Sequence, residues 1–182
     1  MLFRSDVLIG TPLADVIYGL QGADQLTSNG GADILYTGSG DDQIAIEDNA
    51  FIRVDAGSGF DVLTLQGLAN QAYDFRLNVA SPVYFVGTKL RDVELISSVD
   101  YGANVLSFDA DAVNAINPGR VLFLVPDRSD SIFLAGAFHR NSAFDTTVSG
   151  SLWTAYAAGN QSVPSESSPA LVYVLNPVGA SA

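Results

Sequence analysis

One aspartate recurs every nine residues through the first part of the chain: Asp6, Asp15, Asp24, Asp33 and Asp42. An apolar residue follows two positions after each, at Leu8, Ile17, Leu26, Leu35 and Ile44. Four successive blocks show the register: GTPLADVIY, GLQGADQLT, SNGGADILY and TGSGDDQIA. A fifth, AGSGFDVLT at residues 56–64, repeats it, but its Asp61 lies nineteen residues beyond Asp42, which is two periods plus one inserted residue. Each unit divides into a six-residue turn and a three-residue strand. A strand that short cannot stand alone, whereas stacked identical turns bury a continuous core.

Position four of the unit is glycine in Gly22, Gly31, Gly40 and Gly59, and position two is glycine in Gly38 and Gly57. Glycine opens backbone angles closed to other residues, so the chain can curl tightly and aim its carbonyls inward. Position six supplies a carboxylate and position eight an apolar side chain. Two units make one coil of eighteen residues. Same-edge carboxylates therefore come from alternate units: Asp6, Asp24, Asp42 and Asp61 on one edge, Asp15 and Asp33 on the other. Stacked strands sit about 4.8 Å apart, and carboxylates at that spacing repel unless a cation lies between them. Carboxylate and carbonyl oxygens without His or Cys suit a hard ion with six to eight ligands, which is Ca²⁺ rather than Zn²⁺ or Mg²⁺. The competing reading is a set of Asx turns in a solenoid that needs no metal. The strict period and the shortage of bases oppose it.

The charge follows the repeats. Residues 1–64 hold ten acids against Arg4 and Arg53, while the rest of the chain holds ten acids against six bases. Such a surface repels nucleic acid and anionic membranes and attracts cations. The absence of cysteine rules out disulfides and thiolate metal sites. No apolar run reaches transmembrane length, so no membrane insertion is expected. Residues 5–9 read as the back half of a unit, from which we expect a natural protein that is longer at its start, with upstream signals outside this sequence.

The blocks resemble the GGxGxDxUx nonapeptides of the RTX (repeats-in-toxin) family. The resemblance implies an all-β fold: a right-handed parallel β-roll over residues 1–65 with Ca²⁺ between same-edge turns, continuing into a wider β-solenoid and capping β region over 66–182. It implies metal-binding aspartates at Asp15, Asp24, Asp33, Asp42 and Asp61. It further implies turn ligands at positions one, three and four: Gly19, Gln21 and Gly22; Ser28, Gly30 and Gly31; Thr37, Ser39 and Gly40; Ala56, Ser58 and Gly59. Departures stand at Leu13, which takes a position-four place, at Leu20, which takes a position-two place, and at Arg4, which weakens a site using Asp6. The unit at 46–54 carries Phe51 where the aspartate belongs and no glycine, and Glu47 and Asp48 are candidates to patch its edge. The expected ion positions lie between Asp24 and Asp42, Asp42 and Asp61, and Asp15 and Asp33.

After the repeats, strand signals dominate. Tyr73, Phe75, Leu77 and Val79 alternate with polar residues at period two. Further strands are expected at 83–86, 93–96, 104–108, 121–125, 132–134, 146–148, 152–156 and 171–175. One helical turn is expected at 110–116, capped by Asp109 and stopped by Pro118 and Gly119. Residues 93–116 resemble the stretch that follows RTX repeats in many secreted adhesin-like proteins. A cap is expected on physical grounds, because an exposed solenoid end is an unpaired edge. Residues 159–169 read as a loop. The apolar final residues read as a capping strand, and the resemblance adds the role of an uncleaved signal for type I secretion.

Nothing in the chain makes a catalytic constellation, so no enzyme activity is expected. His139 has no partner nearby in sequence for a dyad, Trp153 and Tyr156 read as packing, and Asp41 reads as a solvated neighbour of Asp42. Taken with the resemblance, the chain is expected to be an extracellular or cell-surface Ca²⁺-binding module, at the C-terminus of a type I-secreted bacterial adhesin-like protein. Its partners would be calcium ions and the secretion machinery, not nucleic acid. Two alternatives stand beside it: the non-catalytic tail of a secreted RTX protease or lipase, and a surface-layer lattice protein.

Overall fold

The computed structural model describes residues 4–67, 69–76, 89–98, 102–117, 121–135, 138–140, 146–148, 151–158 and 171–175. Over the repeats the chain alternates between two parallel sheets. Strands β1 (Val7–Ile9), β3 (Gln25–Thr27), β5 (Gln43–Ile46) and β7 (Val62–Leu65) stack in one. Strands β2 (Val16–Gln21), β4 (Ile34–Ser39) and β6 (Arg53–Ser58) stack in the other, with β9 (Leu90–Arg91) following β6.

The position-eight residues form the core because successive strand side chains point to opposite faces. Leu8, Leu26, Ile44 and Leu63 lie in register across the first sheet, and Ile17, Leu35 and Val54 across the second. From Leu26 and Leu35 onward these side chains are fully buried. Burying one such side chain is worth roughly 1.5–3 kcal/mol, so each coil adds two comparable contributions. The stacked backbones also need glycine. A Cβ on Gly40 would lie 1.9 Å from the Gly22 carbonyl oxygen, and Gly40 has φ 127°, the left-handed region.

The inserted residue falls between β5 and β6. Pairing partners are 18 residues apart below it, as Val7 with Gln25, and 19 apart above it, as Gln43 with Val62 and Ile34 with Arg53. The residue opposite Asp33 is therefore Ile52, whose N–H donates to the Asp33 carbonyl at 2.8 Å. This corrects the expectation for Phe51. The insertion moves Phe51 off the edge and into the core, where it is 1% exposed.

The first sheet continues past residue 65. Strand β7 pairs in parallel with β10 (Leu95–Ser97), β10 with β12 (Val121–Val125), and β12 with β17 (Leu171–Leu175). Beyond it the pairing turns antiparallel through β16 (Ser151–Ala158), which also pairs β14 (Phe138–Arg140) and β15 (Thr146–Val148). A third, parallel sheet joins β8 (Ala72–Asp74), β11 (Val105–Asp109) and β13 (Ser131–Ala135). Tyr73 and Phe75 are buried, as period two expects. Leu77, Val79, the strand at 83–86, the helix stop at Pro118 and Gly119, the loop at 159–169 and the final residues lie outside the described residues.

The single helix among the described residues, α1 (Ala110–Ile116), starts where Asp109 accepts the Ala112 N–H at 2.7 Å. It buries Ala112, Val113 and Ile116. No helix among the described residues is long and apolar enough to cross a membrane.

Candidate metal centre

The aspartate edges are built from hydrogen bonds that climb one coil at a time. Asp6 N–H donates to Asp24 Oδ1 at 2.7 Å, Asp24 N–H to Asp42 Oδ1 at 2.7 Å, and Asp42 N–H to Asp61 Oδ1 at 2.8 Å. On the other edge Asp15 N–H donates to Asp33 Oδ1 at 2.9 Å. The geometry follows from the repeat. The aspartate precedes the strand, so its side chain reaches the amide of its counterpart in the coil before.

One carboxylate oxygen is thereby satisfied, and the other is not. Asp24, Asp33, Asp42 and Asp61 are 0–1% exposed, and Oδ2 of each has no hydrogen-bond partner. A buried carboxylate oxygen without a donor is costly unless the group is neutralised or paired with a cation. Burial accordingly pushes the carboxyls of Asp33 and Asp42 upward from the ordinary carboxylate value. Asp61 is pushed up to about 7, mainly by burial and then by the negative charges of Asp42, Glu94 and Asp41.

The surroundings of these oxygens fit a hard cation. A Cβ built on Gly19 would lie 2.6 Å from the Thr37 carbonyl oxygen and 2.7 Å from Asp24 Oδ2. At Gly10 it would lie 2.5 Å from the Ser28 carbonyl oxygen and 3.1 Å from Asp15 Oδ2. In these two turns the first residue thus faces its own aspartate and the carbonyl of the next coil. Gly19, Ser28, Thr37 and Ala56 are all buried there. Among the described residues no three carboxylates or imidazoles gather in one place. An ion held here would draw on carboxylate Oδ2 atoms of the aspartate edge with carbonyls around them, an oxygen-only set of the kind Ca²⁺ takes.

The expected turn residues are not all alike. The carbonyls of Ser39 and Ser58, at position three, accept the N–H groups of Gly22 and Gly40 at 2.9 and 2.8 Å. Gln21 is an exposed residue at the same position. Gly22, Gly40 and Gly59 serve the close approach of stacked turns. Gly31 donates its N–H to Asp48 Oδ2 at 3.2 Å, and a Cβ on Gly30 would sit 3.3 Å from the same oxygen. Asp48 thus patches the edge next to turn 28–31, while Glu47 is exposed.

The first coil differs from the rest. Asp15 Oδ2 accepts both the Thr11 N–H at 2.6 Å and the Thr11 hydroxyl at 2.8 Å. Asp6 Oδ1 lies 3.6 Å from Arg4 Nε. Neither Asp6 nor Asp15 is buried.

Three acids have roles that the repeat pattern does not give. Asp41 is exposed as expected, yet its Oδ1 accepts the Phe60 N–H at 2.8 Å. Glu94 takes the next place on the first edge, its Oε2 accepting the Asp61 N–H at 2.8 Å. The signal was an acid with a buried apolar residue two positions on, Glu94 with Ile96 as Asp61 with Leu63. Asp130 belongs to a second climbing series in the third sheet. There Gln71 N–H donates to Asn104 Oδ1 at 3.1 Å, and Asn104 N–H to Asp130 Oδ1 at 2.8 Å. Asp130 Oδ2 is satisfied by the Ser98 hydroxyl at 2.6 Å and the Asp127 N–H at 2.9 Å.

No curated protein and no solved structure matches the chain. A family model does: residues 9–44 match the RTX calcium-binding nonapeptide repeat, in four copies.

Proposed function

We propose, starting from the premise that residues 9–44 are RTX calcium-binding nonapeptide repeats, that this chain is a Ca²⁺-dependent folding module of a secreted bacterial protein. RTX nonapeptide repeats bind Ca²⁺, and the repeat is not itself a catalytic element. Our finer reading is a right-handed β-roll in which Oδ2 of Asp24, Asp33, Asp42 and Asp61 holds the ions. Carbonyls of the first turn residues, Gly19, Ser28, Thr37 and Ala56, complete the sites. Asp15 is a weaker member because Thr11 occupies its second oxygen. Asp6, beside Arg4, is the weakest.

The observation that carries this reading is the set of four buried carboxylate oxygens with no donor in the protein. In water each oxygen is hydrated; in the stacked coil it is not. Without a cation, burial and mutual repulsion oppose stacking, so binding energy becomes folding energy. Extracellular modules bind Ca²⁺ at roughly 10⁻⁴–10⁻³ M, far above cytosolic levels. The repeats of such a chain are weakly held together inside the cell and become stable outside. That property suits passage through a type I secretion channel and use at the cell surface, in an adhesin-like protein. Residues 66–182 then serve as the continuation and cap of the roll and carry the export signal at their end. The antiparallel strands β14 to β17 at the far end of the first sheet support the capping role.

Circular dichroism and calorimetry test the reading together. Millimolar Ca²⁺ is expected to raise the β signal and the melting temperature of chelator-treated protein, with several ions bound per chain. An unchanged spectrum and melting point in excess EDTA would falsify it.

A further inference from the structure

The climbing series of carboxylates outlasts the repeats. Glu94 Oε2 gives the Asp61 N–H the same acceptor that Asp61 gives Asp42 and Asp42 gives Asp24. Leu95 pairs with Val62 and Ile96 with Leu63, which sets Glu94 on the aspartate edge at the following level. Its other oxygen, Oε1, accepts Asn117 Nδ2 at 3.2 Å. Asn117 is the C-cap of α1 and also binds the Val121 carbonyl at 2.9 Å. Both oxygens of Glu94 are therefore engaged, whereas Asp61 Oδ2 is buried and has no donor.

Around Gly19, the unpartnered Asp24 Oδ2 faces the Thr37 carbonyl, which belongs to the first turn residue of the next coil. For Asp61 the next level is no repeat. Strand β6 pairs with β9, Asp55 opposite Arg91. The level beyond Ala56 is therefore the segment 92–94, where Asp92 turns the chain with φ 52°.

We propose that the last ion site is a hybrid: Asp61 and its turn 56–61 on one side, the non-repeat segment 92–94 on the other, with Glu94 positioning Asp61. The proposal rests on the reading that the repeats hold Ca²⁺. Glu94 is a positioning residue here; it fixes the Asp61 main chain and ties it through Asn117 to α1.

The chain carries its own reporter. Phe60, next to Asp61, has its ring 6.4 Å from that of Phe123, and Phe123 meets the indole of Trp153 edge-on at 5.5 Å. Phe123 N–H donates to the Glu94 carbonyl at 2.8 Å. Trp153 is the single tryptophan, so its emission reads the junction while far-UV circular dichroism reads the whole β structure.

The experiment is a Ca²⁺ titration of the full chain, followed by both signals and by calorimetric stoichiometry, for the parent, Glu94→Ala and Glu94→Gln. Removing the acceptor of a buried N–H is expected to move the Trp153 midpoint of Glu94→Ala to about tenfold higher Ca²⁺. The dichroism midpoint should move less. Glu94→Gln keeps an acceptor for the Asp61 N–H, though it turns its NH2 toward Asn117 Nδ2, and is expected to shift less than Glu94→Ala, by about threefold from the parent. A Glu94→Ala midpoint within about twofold of the parent, or equal shifts in both signals, overturns the hybrid site. Should Glu94→Ala fail to fold at saturating Ca²⁺, Glu94→Gln decides: a shift of about threefold or less upholds the proposal and an about tenfold shift overturns it. A parent that binds no Ca²⁺ defeats the reading of the repeats themselves. A parent that binds normally beside an unshifted Glu94→Ala defeats only the hybrid site.

Discussion

The molecule contains two climbing side-chain series that share one hydrogen-bond scheme and differ in what meets the second oxygen. In the repeats, Asp24, Asp42 and Asp61 each give Oδ1 to the amide one coil below, and Oδ2 is left without a donor. In the third sheet, Asn104 and Asp130 do the same with Oδ1. There the Asp130 second oxygen has Ser98 and the Asp127 N–H, and Asn104 Nδ2 donates to the Gly102 carbonyl at 3.0 Å. An acid stacked on a sheet edge is therefore not in itself a metal site. The deciding feature is whether the protein supplies donors of its own to the remaining oxygen.

Chelation should separate the two series most strongly. Each ion site contributes about 2.7 kcal/mol when Ca²⁺ stands a hundredfold above its Kd, and the third-sheet series has no such term. In hydrogen exchange after EDTA, the amides of Asp24 and Asp42 are expected to lose far more protection than those of Gln71 and Asn104. Equal losses in both sets would mean that the repeat edge holds no ion.

A matched pair of substitutions comes next. Asp42→Asn keeps an acceptor for the Asp24 N–H but removes the charge. It is expected to lower stability by about 2–3 kcal/mol in saturating Ca²⁺ and, because a buried charge is removed, to raise it slightly in chelator. Asp130→Asn loses part of the acceptance for Ser98 and Asp127, and should cost about 1–3 kcal/mol equally with and without Ca²⁺. Urea unfolding in both buffers gives all four numbers. A Ca²⁺-independent effect at Asp42 would count against an ion there.

Acidity gives a smaller effect with opposite signs. Asp61 in the fold is raised from 3.8 to about 7, so the metal-free fold favours its protonated form. The stability linked to that proton is fully present below pH 3.8 and is lost as pH rises through about 7. Asp127 is lowered, chiefly by the Ser129 hydroxyl and amide. Its contribution is present above the ordinary carboxylate value and is lost as pH falls through the depressed one. In chelator, the melting temperature is expected to be higher at pH 5 than at pH 8, because Asp33, Asp42 and Asp61 all shift upward. In Ca²⁺ the order should reverse, since protons and ions compete for the same oxygens. A chelated protein that melts earlier at pH 5 would contradict this account of the buried carboxyls.

The smallest effect concerns Leu20. It holds φ 79° at a place where later coils have Gly38 and Gly57, and it is 70% exposed. Leu20→Gly removes left-handed strain with almost no loss of burial and should stabilise the first coils by about 1 kcal/mol. Thermal melting in Ca²⁺ would show the gain.

Much of the repeat architecture was legible because a strict count of nine places each aspartate on an edge and each apolar residue inside. The capped helix was also legible, since Asp109 followed by the apolar spacing of Val113 and Ile116 is a local signal. The inserted residue was not. Counting in nines put Phe51 on the edge, whereas a large apolar side chain gains more in the core and Ile52 took the place. Glu94 was hidden because its partner, Asp61, lies 33 residues away through chain without a repeat. The Gln71, Asn104 and Asp130 series was hidden for the same reason, with steps of 33 and 26 residues and three different residue types.

The column of position-eight residues does not end with the family match. Leu8, Leu26, Ile44 and Leu63 are followed in register by Ile96, Leu124 and Val174. One oily spine therefore threads the acidic front and the neutral rear of the same sheet. Alignment of neighbours belongs to this spine, which works at any calcium level, while the ions govern only the moment at which the front becomes worth assembling. A mutation in the spine should scramble which segments meet; a mutation at the rim should merely change when they do.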